Sequence, residues 1–261
     1  MKKLTAILTA IMLTACSVSV FAAEAEEKPL EGKNLTVAMS PDFMYFETVS
    51  ETEECGYEGL DIDILKSLSE KLGFTFTISP MAFSSLIGTL QTGNADLVIS
   101  GMSRTDERAE VVDFSITYAT TDFGVVVRTD SDIDSFEDLE GKTICCSQGA
   151  SQESLIQNDI EGATLKTYQG QSAVGLAVAE ASDGVDAGIT SINGAKKLSN
   201  TVLDDNGEPL LKYFVMDYEG ISDVYNIAFP KGSELLPIID EALQEMIDSG
   251  EMEELIQKWL Y

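Results

Sequence analysis

Short apolar runs alternate with amphipathic segments along the chain from residue 35 onwards. The run "LTVAM" at 35–39 and the alternating run "FTFTI" at 74–78 predict strands, and between them leucine and isoleucine recur at helical spacing before Gly73. A Ser-capped helical pattern, "SSLIGTLQTG", and the strand pattern "ADLVIS" follow. This βαβαβ order is typical of a parallel sheet with helices on its faces.

A second unit of the same kind begins near residue 123. Its strand patterns are "FGVVV", "KTICC", "TLKTY" and "VDAGIT", with helical patterns from about Ser151 and about Ser172 between them. Ser135 and Asp138 form a capping-box pattern before the second of these strands. Two more helical patterns, separated by Gly250, follow near the end of the sequence. We therefore predict an α/β fold of two similar lobes, each built on a mainly parallel sheet.

A weak internal repeat supports two lobes. The segments "LQTGNADLVISGMS" and "AEASDGVDAGITSING" both contain a helical pattern, a turn, an aspartate and a strand. When Asp96 is aligned with Asp186, Gly101 and Ser191 fall at the same position, five residues on, at the C-terminal end of a strand. Ligands of open α/β sheets bind beyond such strand ends. The repeat thus predicts one cleft between the two lobes.

Composition excludes several classes of function. The 261 residues include 16 Lys+Arg, 45 Asp+Glu and no histidine, for a formal net charge of -29. Nucleic acid is not an expected partner, because phosphate binding needs clustered positive charge. The lack of histidine removes Ser-His-Asp and Cys-His catalysis and His-ligated metal sites. The stretch that begins at Asp130 lacks the turn glycine and the bidentate glutamate of a calcium loop, so no cofactor is expected.

The N-terminal residues predict export. Two lysines, an apolar run and small residues make residues 1–22 a secretory signal rather than a membrane span. Two processing routes remain open: "LTAC" resembles a lipoprotein box with Cys16 as the lipidated residue, whereas Val20-Phe21-Ala22 resembles an ordinary cleavage site. The protein is therefore expected to be periplasmic or at the cell surface, with or without a lipid anchor.

Three further cysteines are Cys55, Cys145 and Cys146. Cys145 and Cys146 are adjacent in a predicted strand, so their side chains should point to opposite faces of the sheet. The simplest interpretation is that they are small core residues. Because the number is odd, at least one thiol is expected to be free.

Arg108 is a candidate ligand-binding residue in a chain that is poor in positive charge. Thr105 can cap a short helix whose first turn contains Arg108, and helical side chains lean toward the helix N-terminus. Arg108 would then lean toward the strand end at Gly101, where its guanidinium could bind a carboxylate through two parallel hydrogen bonds. Spacing alone leaves open the alternative that Arg104 and Arg108 only balance Asp106 and Glu107 on the surface.

Four segments carry a family resemblance: "GYEGLDIDILKSLSEKLGF", "LQTGNADLVISGMSRTDERAEVVDFS", "YNIAFPKGS" and "GEMEELIQKWL". With them the chain resembles the family 3 extracellular solute-binding proteins, which are amino-acid-binding proteins of ABC transporters. The resemblance implies the type II periplasmic binding fold, with lobe 1 at 33–118 plus 226–261, lobe 2 at 122–220, and two crossover strands as the hinge. It also implies that Arg108 binds the α-carboxylate of the ligand.

The resemblance further implies a set of ligand contacts. Phe43 and Phe83 would pack against the ligand side chain, although both also suit an ordinary core. Gly101 would offer its carbonyl to the ligand amine, and Ser103 would assist with its hydroxyl. In lobe 2, Ala150 and Ser151 would donate backbone N–H groups to the ligand carboxylate from a helix N-terminus.

Two positions depart from the family pattern. Ser191 stands where the family usually has an aspartate that pairs with the ligand ammonium, and a buried ammonium without a carboxylate is costly. We expect that another acid, Asp223, takes this role, or that the ligand is not a standard L-α-amino acid. Tyr45 replaces a common proline in the first loop, so the side-chain pocket is expected to differ in shape from that of the family.

The predicted function is that of a monomeric exported receptor, without a cofactor, that closes two lobes over an amino-acid-like ligand and delivers it to a membrane permease. One alternative is an exported dehydratase on the same fold, which would need an acid facing its substrate. The other is a detached sensory module, which would need a following membrane span or kinase.

Overall fold

The computed structural model describes residues 28–218 and 222–261. Its strands are β1 (Asn34–Met39), β2 (Asp42–Phe43), β3 (Glu47–Val49), β4 (Tyr57–Glu58), β5 (Thr75–Pro80), β6 (Leu97–Val98), β7 (Val112–Phe114), β8 (Ala119–Arg128), β9 (Thr143–Ser147), β10 (Thr164–Tyr168), β11 (Ala187–Ser191), β12 (Leu211–Val215), β13 (Ser222–Tyr225) and β14 (Ala228–Pro230). Its α-helices are α1 (Leu60–Leu72), α2 (Leu86–Gln91), α3 (Asp106–Val111), α4 (Gln152–Asp159), α5 (Gln171–Ala179), α6 (Ile192–Thr201), α7 (Leu235–Ser249) and α8 (Glu251–Leu260). The predicted signal at 1–22 and Cys16 lie outside the described residues.

Lobe 1 is built on a five-stranded sheet in the order β5-β1-β6-β14-β7. Strand β1 is parallel to β5 and β6, as the βαβαβ pattern predicts, whereas β14 is antiparallel to its neighbours. Side chains of β1 alternate between two cores: Val37 packs with α1 and α7 on one face, and Ala38 packs with α2 on the other. None of the described helices has the length and apolar composition needed to cross a membrane.

Lobe 2 is built on the sheet β10-β9-β11-β8-β12. Strand β9 is parallel to both of its neighbours, and β8 is antiparallel to β11 and β12. Helix α4 covers one face, while α5 and α6 cover the other. Cys146 lies in the first of these cores and Cys145 in the second, which confirms that the two thiols point to opposite faces. Both are free thiols, as is Cys55.

Two antiparallel strands connect the lobes. Residues 123–128 of β8 pair with β11 and β12 in lobe 2, and residues 119–122 pair with β13. Strand β13 leads directly to β14 in the sheet of lobe 1. The predicted α/β class with two lobes and two hinge strands is confirmed, and the antiparallel strand pairs are a feature that the sequence pattern did not predict.

The internal repeat has a physical counterpart in both lobes. The Asp96 carboxylate accepts the backbone N–H of Thr36 at 2.7 Å, and the N–H of Asp96 donates to the Thr36 carbonyl at 2.8 Å. The Asp186 carboxylate accepts the N–H of Thr143 at 2.9 Å, and its N–H donates to the Thr143 carbonyl at 2.8 Å. Each aspartate thus ties the start of the central strand of its sheet, β6 or β11, to the neighbouring strand, β1 or β9.

We predict that Asp96→Ala and Asp186→Ala each lower the free energy of unfolding by about 1–3 kcal/mol, because a strand N–H loses a charged acceptor. Urea unfolding monitored by circular dichroism measures the change. Asp132→Ala is the control, since it changes an exposed carboxylate. Equal stability of all three variants would contradict the role assigned to the repeat.

Candidate functional site

A cavity lies between the lobes, next to the C-terminal ends of β1, β6, β9 and β11. Seven of the predicted site residues line it: Phe43, Phe83, Gly101, Ser103, Ala150, Ser151 and Asp223. The lobes touch each other around it, since Asn193 Nδ2 of lobe 2 donates to the Leu260 carbonyl of lobe 1 at 2.7 Å. The predicted cleft between two strand ends is therefore present, with the lobes in contact.

Arg108 does not itself line this cavity, but its guanidinium contacts Ser103 and Phe83, which do. Thr105 Oγ1 accepts the backbone N–H of Arg108 at 3.2 Å, so the predicted cap of α3 is present. The guanidinium reaches back from α3: Nη1 donates to the Ser103 carbonyl and Nη2 donates to the Gly149 carbonyl at 2.7 Å. It also lies over the Phe83 ring, 5.5 Å from its centroid. Arg108 therefore spans both lobes.

Arg104 behaves differently from Arg108. Its side chain is 53% exposed and lies 3.6 Å from the Asp106 carboxylate. Arg104 is thus a surface charge that balances an acid. The alternative interpretation of the sequence, in which both arginines have this role, holds for Arg104. Arg108 is instead half-buried beside the cavity, and its guanidinium donates to two backbone carbonyls, one from each lobe.

Asp223 lies on the hinge strand β13 and lines the same cavity. The residue is only 4% exposed. One oxygen accepts from the Ser103 hydroxyl, and the other accepts from Tyr225 at 3.1 Å and from Gln152 Nε2 at 3.2 Å. Burial raises the pKa of Asp223 to about 6, against the lowering effect of these hydrogen bonds and of the Arg108 charge. Donors from both lobes thus converge on one carboxylate beside Arg108.

Asp42 is a cavity residue that the sequence analysis missed. It lies on β2, is half-buried, and accepts from the Ser40 hydroxyl at 3.2 Å. A Cβ placed on Gly170 of lobe 2 would lie 1.6 Å from the Asp42 carboxylate, so only glycine allows this approach. Burial raises the pKa of Asp42. The available signal was its place in "SPDFMYFE", one residue before the aromatic that the family resemblance identified.

Phe43 serves the core and the cavity together. Its ring stacks on Phe46 with centroids 4.5 Å apart and meets Tyr225 edge-on at 6.1 Å. The other side of the ring covers Gly101, where an added Cβ would lie 2.2 Å from a ring carbon. Gly101 also has φ of 50°, which favours glycine. Phe43 is therefore a residue of both the core and the cavity wall, and its contact with a ligand side chain stays a prediction.

The structure differs from the expectation for Ser191. This residue is fully buried, and its hydroxyl caps α6 by accepting the Gly194 N–H at 3.1 Å. The preceding residue, Thr190, lines the cavity instead and accepts from Gln171 Nε2 at 2.6 Å. Ser191 is the N-cap residue of α6, so its hydroxyl is directed to the helix and not to the cavity.

The lobe 2 turn is close to the predicted arrangement. Ser151 directly precedes α4, and its hydroxyl lies 3.4 Å from that of Ser103 and 3.5 Å from the Asp223 carboxylate. The N–H of Ala150 already donates to the Ser147 carbonyl at 3.1 Å. Of the two predicted backbone donors, Ala150 is therefore engaged in the turn itself.

Tyr45, the departure from the proline pattern, has φ of 72°. The proline ring fixes φ near -65°, so proline is not compatible with this backbone. Lys197 of lobe 2 lies 5.8 Å from the centroid of the Tyr45 ring, which adds a contact between the lobes outside the cavity.

In the described ranges, 28–218 and 222–261, no three Cys, Asp or Glu side chains are grouped as a metal site requires.

We predict that the Asp223 carboxyl titrates at about 6 and that Arg108→Ala raises its pKa further, because a nearby positive charge is removed. The pKa is measured from the carboxyl ¹³C shift in an NMR titration. Arg104→Ala is the matched control and should leave the titration unchanged. A titration near the usual value of 3.8, or one insensitive to Arg108, would contradict this assignment.

Comparison with known proteins identifies the family. The model of the bacterial extracellular solute-binding proteins, family 3, matches residues 35–261. The arginine-binding extracellular protein ArtP of Bacillus subtilis is 34% identical over 247 residues, which cover 95% of this chain and 92% of that protein.

Two solved structures also resemble it. The substrate binding protein of an amino acid ABC transporter is 33% identical, with a TM-score of 0.74 over 87% of this chain and 98% of that one. AbpA from Streptococcus pneumoniae, bound to L-arginine, is 30% identical, with a TM-score of 0.74 over 86% and 93%. On this evidence the chain belongs to the bacterial extracellular solute-binding proteins, family 3.

Proposed function

We propose that this solute-binding protein captures a cationic L-amino acid, such as arginine, and delivers it to the permease of an ABC transporter. The observation that carries the proposal is the distribution of charge around one cavity. The Arg108 guanidinium contacts Ser103 and Phe83 of the cavity wall, and two partly or fully buried carboxylates, those of Asp42 and Asp223, line the wall itself. The proposal matches each charge to an opposite charge of the ligand.

The ligand carboxylate is assigned to Arg108. Its planar guanidinium fits a carboxylate through two parallel hydrogen bonds, and burial strengthens the pair. The hydroxyls of Ser103 and Ser151 and the backbone at the start of α4 are close enough to add neutral donors. Phe83, below the guanidinium, keeps water from one face of this pair.

The ligand ammonium is assigned to Asp223. The raised pKa of this carboxyl means that burial opposes its charge, and a cation beside it would offset that cost. The hydroxyls that now donate to Asp223 can rotate and accept hydrogen bonds instead. The amine side of the site then needs no acid at Ser191, whose hydroxyl caps a helix.

The cationic end of the side chain is assigned to Asp42. This carboxylate lies on β2, in the wall of the same cavity, and its hydrogen bond from Ser40 leaves its other oxygen facing Gly170 of lobe 2. Names of relatives support a cationic ligand, since ArtP is described as arginine-binding and AbpA was solved with L-arginine. Phe43 beside it supplies apolar area for the aliphatic part of the ligand.

The setting of this function follows from the family and the charge. We expect the chain to act outside the cytoplasm as a monomer. Its signal would be cleaved either after residue 22 or, if Cys16 carries a lipid anchor, directly before Cys16. In this proposal lobe 1 comprises residues 33–118 and 226–261, and lobe 2 comprises residues 122–220. We do not expect a nucleic-acid partner, because a net charge of -29 repels phosphates. We do not expect a cofactor either. We also expect binding without catalysis.

Arg108→Ala is predicted to weaken L-arginine binding by about 30-fold to several thousand-fold, because one partner of a desolvated charge pair is lost. Titration calorimetry measures the affinity, and Arg104→Ala is the control with wild-type binding. Affinity of Arg108→Ala within threefold of wild type would rule out the carboxylate assignment. Chromatography of the mixture should return the ligand unchanged, and conversion to product would favour the dehydratase alternative.

Asp42→Asn is predicted to lower the affinity for L-arginine by at least about tenfold and to leave that for L-citrulline almost unchanged. The two ligands have nearly the same shape, and only arginine has a charged end. Competition calorimetry on both proteins gives the four affinities. An equal loss for both ligands would show that Asp42 supports the loop rather than the side-chain charge.

A further inference from the structure

Two carboxyl groups are buried together behind the lobe 1 wall of the cavity. Glu47 on β3 and Asp61 in the first turn of α1 are both fully buried. The backbone N–H of Asp61 donates to the carbonyl of Phe46, the residue before Glu47, at 3.0 Å, and the two carboxyl groups accept hydrogen bonds from the adjacent residues Ser100 and Gly101. Among residues 28–218 and 222–261, neither forms a salt bridge with lysine or arginine. Two ionised carboxylates in contact without a cation are strongly unfavourable. The pair must therefore hold a proton.

The hydrogen-bond donors around the pair identify which residue carries that proton. Asp61 Oδ2 accepts the backbone N–H of Gly101 at 2.7 Å, and Asp61 Oδ1 accepts the Tyr118 hydroxyl at 2.8 Å. Asp61 also lies in the first turn of a 13-residue helix, where the positive end of the helix dipole favours an anion. These are the surroundings of an ionised carboxylate.

Glu47 has the opposite surroundings. Its Oε1 accepts the Ser100 hydroxyl at 2.6 Å, and no donor of the described part of the chain reaches Oε2. A buried carboxyl oxygen without a donor, next to a carboxylate, satisfies its hydrogen-bonding capacity if it is protonated and donates. Glu47 is thus the neutral acid and Asp61 the anion.

The titration directions agree with this geometry. Burial raises the pKa of Glu47 well above its usual range, and the neighbouring Asp61 charge raises it further. Burial also raises the pKa of Asp61 to about 7, while Gly101, Tyr118 and Glu47 lower it by hydrogen bonding. Glu47 therefore loses its proton last.

Few other titratable groups face the pair. Asp42 on β2 adds a negative charge that disfavours ionised Glu47. Tyr118, before β8, and Tyr225, on β13, are neutral phenols whose pKa values are raised well above normal by burial and then by nearby carboxylates. Asp63, two residues along α1, is directed instead to Lys258 and Trp259.

The pair is connected directly to the cavity wall. Ser100, which donates to Glu47, accepts the backbone N–H of Ser40 at 2.9 Å. Gly101, which donates to Asp61, lies under the Phe43 ring. Ser40, Phe43 and Gly101 all line the cavity. Two backbone segments of the wall are thus held by these two carboxyl groups.

We propose that Glu47 and Asp61 are positioning residues: a proton-sharing pair in which Glu47 donates to the Asp61 carboxylate and so fixes the lobe 1 wall of the ligand cavity. Only the last clause, that this wall contacts the ligand, rests on the proposed function. The protonation and the hydrogen-bond pattern are properties of the protein itself.

Two isosteric variants distinguish the donor from the acceptor. In Glu47→Gln the amide can donate to Asp61 and still accept from Ser100, so affinity for L-arginine stays within about threefold of wild type. In Asp61→Asn the amide N–H₂ must face either the Gly101 N–H or the Tyr118 hydroxyl, so affinity falls at least about tenfold. Asp63→Asn, on the same helix, is the control with unchanged affinity.

Two further readouts need no ligand. The infrared difference spectrum of wild type minus Glu47→Gln at neutral pH should contain the carbonyl band of a protonated carboxylic acid. Because both pKa values are raised on folding, the pair favours the folded state at acidic pH, and this contribution is lost as the pH rises from about 4 through 7 and beyond. The decrease of Tm over that range should be smaller in Glu47→Gln.

These readouts separate the proposal from the proposed function. If wild type fails to bind L-arginine, the infrared and Tm results still decide the proton-sharing assignment. A missing acid band, or the same pH dependence of Tm in both proteins, overturns it. Loss of arginine affinity in Glu47→Gln equal to that in Asp61→Asn overturns the donor and acceptor roles.

Discussion

The cleft of this protein depends on how buried negative charge is compensated in a chain with few positive charges. Three means of compensation lie within one small region. The pair of Glu47 and Asp61 shares a proton, Asp223 accepts hydrogen bonds from both lobes, and Arg108 adds the single guanidinium at the cavity. In the part of the chain that the structure describes, the side-chain partner of Asp42 is the Ser40 hydroxyl. The cationic end of the proposed ligand would supply a charged partner for Asp42.

Much of the fold could be predicted because burial leaves a local pattern. Leu65 and Leu68 mark the buried face of α1, and alternation along β1 assigns neighbouring residues to two cores. Strand direction is not encoded in this way. The short strand β14 returns from the far end of the chain and pairs antiparallel, a result of long-range packing that no local period reports.

The candidate site likewise contains residues that local sequence signals predict and residues that only long-range packing places. The position of Arg108 could be predicted from sequence because it depends on a helix cap only three residues away, Thr105. Ser191 and Thr190 show the limit, since a shift of one residue along a strand exchanges the cavity face for a helix cap. Asp42 and the partners of Asp223 depend on contacts between lobes, which are distant in sequence.

The bond from Arg108 of lobe 1 to the Gly149 carbonyl of lobe 2 has a kinetic consequence. The backbones of the lobes nearly touch there, since a Cβ on Gly149 would lie 3.0 Å from Ser84 Cα. If one guanidinium holds both the ligand and the opposite lobe, a bound molecule cannot escape before that bond breaks. Residence time would then follow the opening rate of the two lobes, and tighter binding would appear mainly as slower opening.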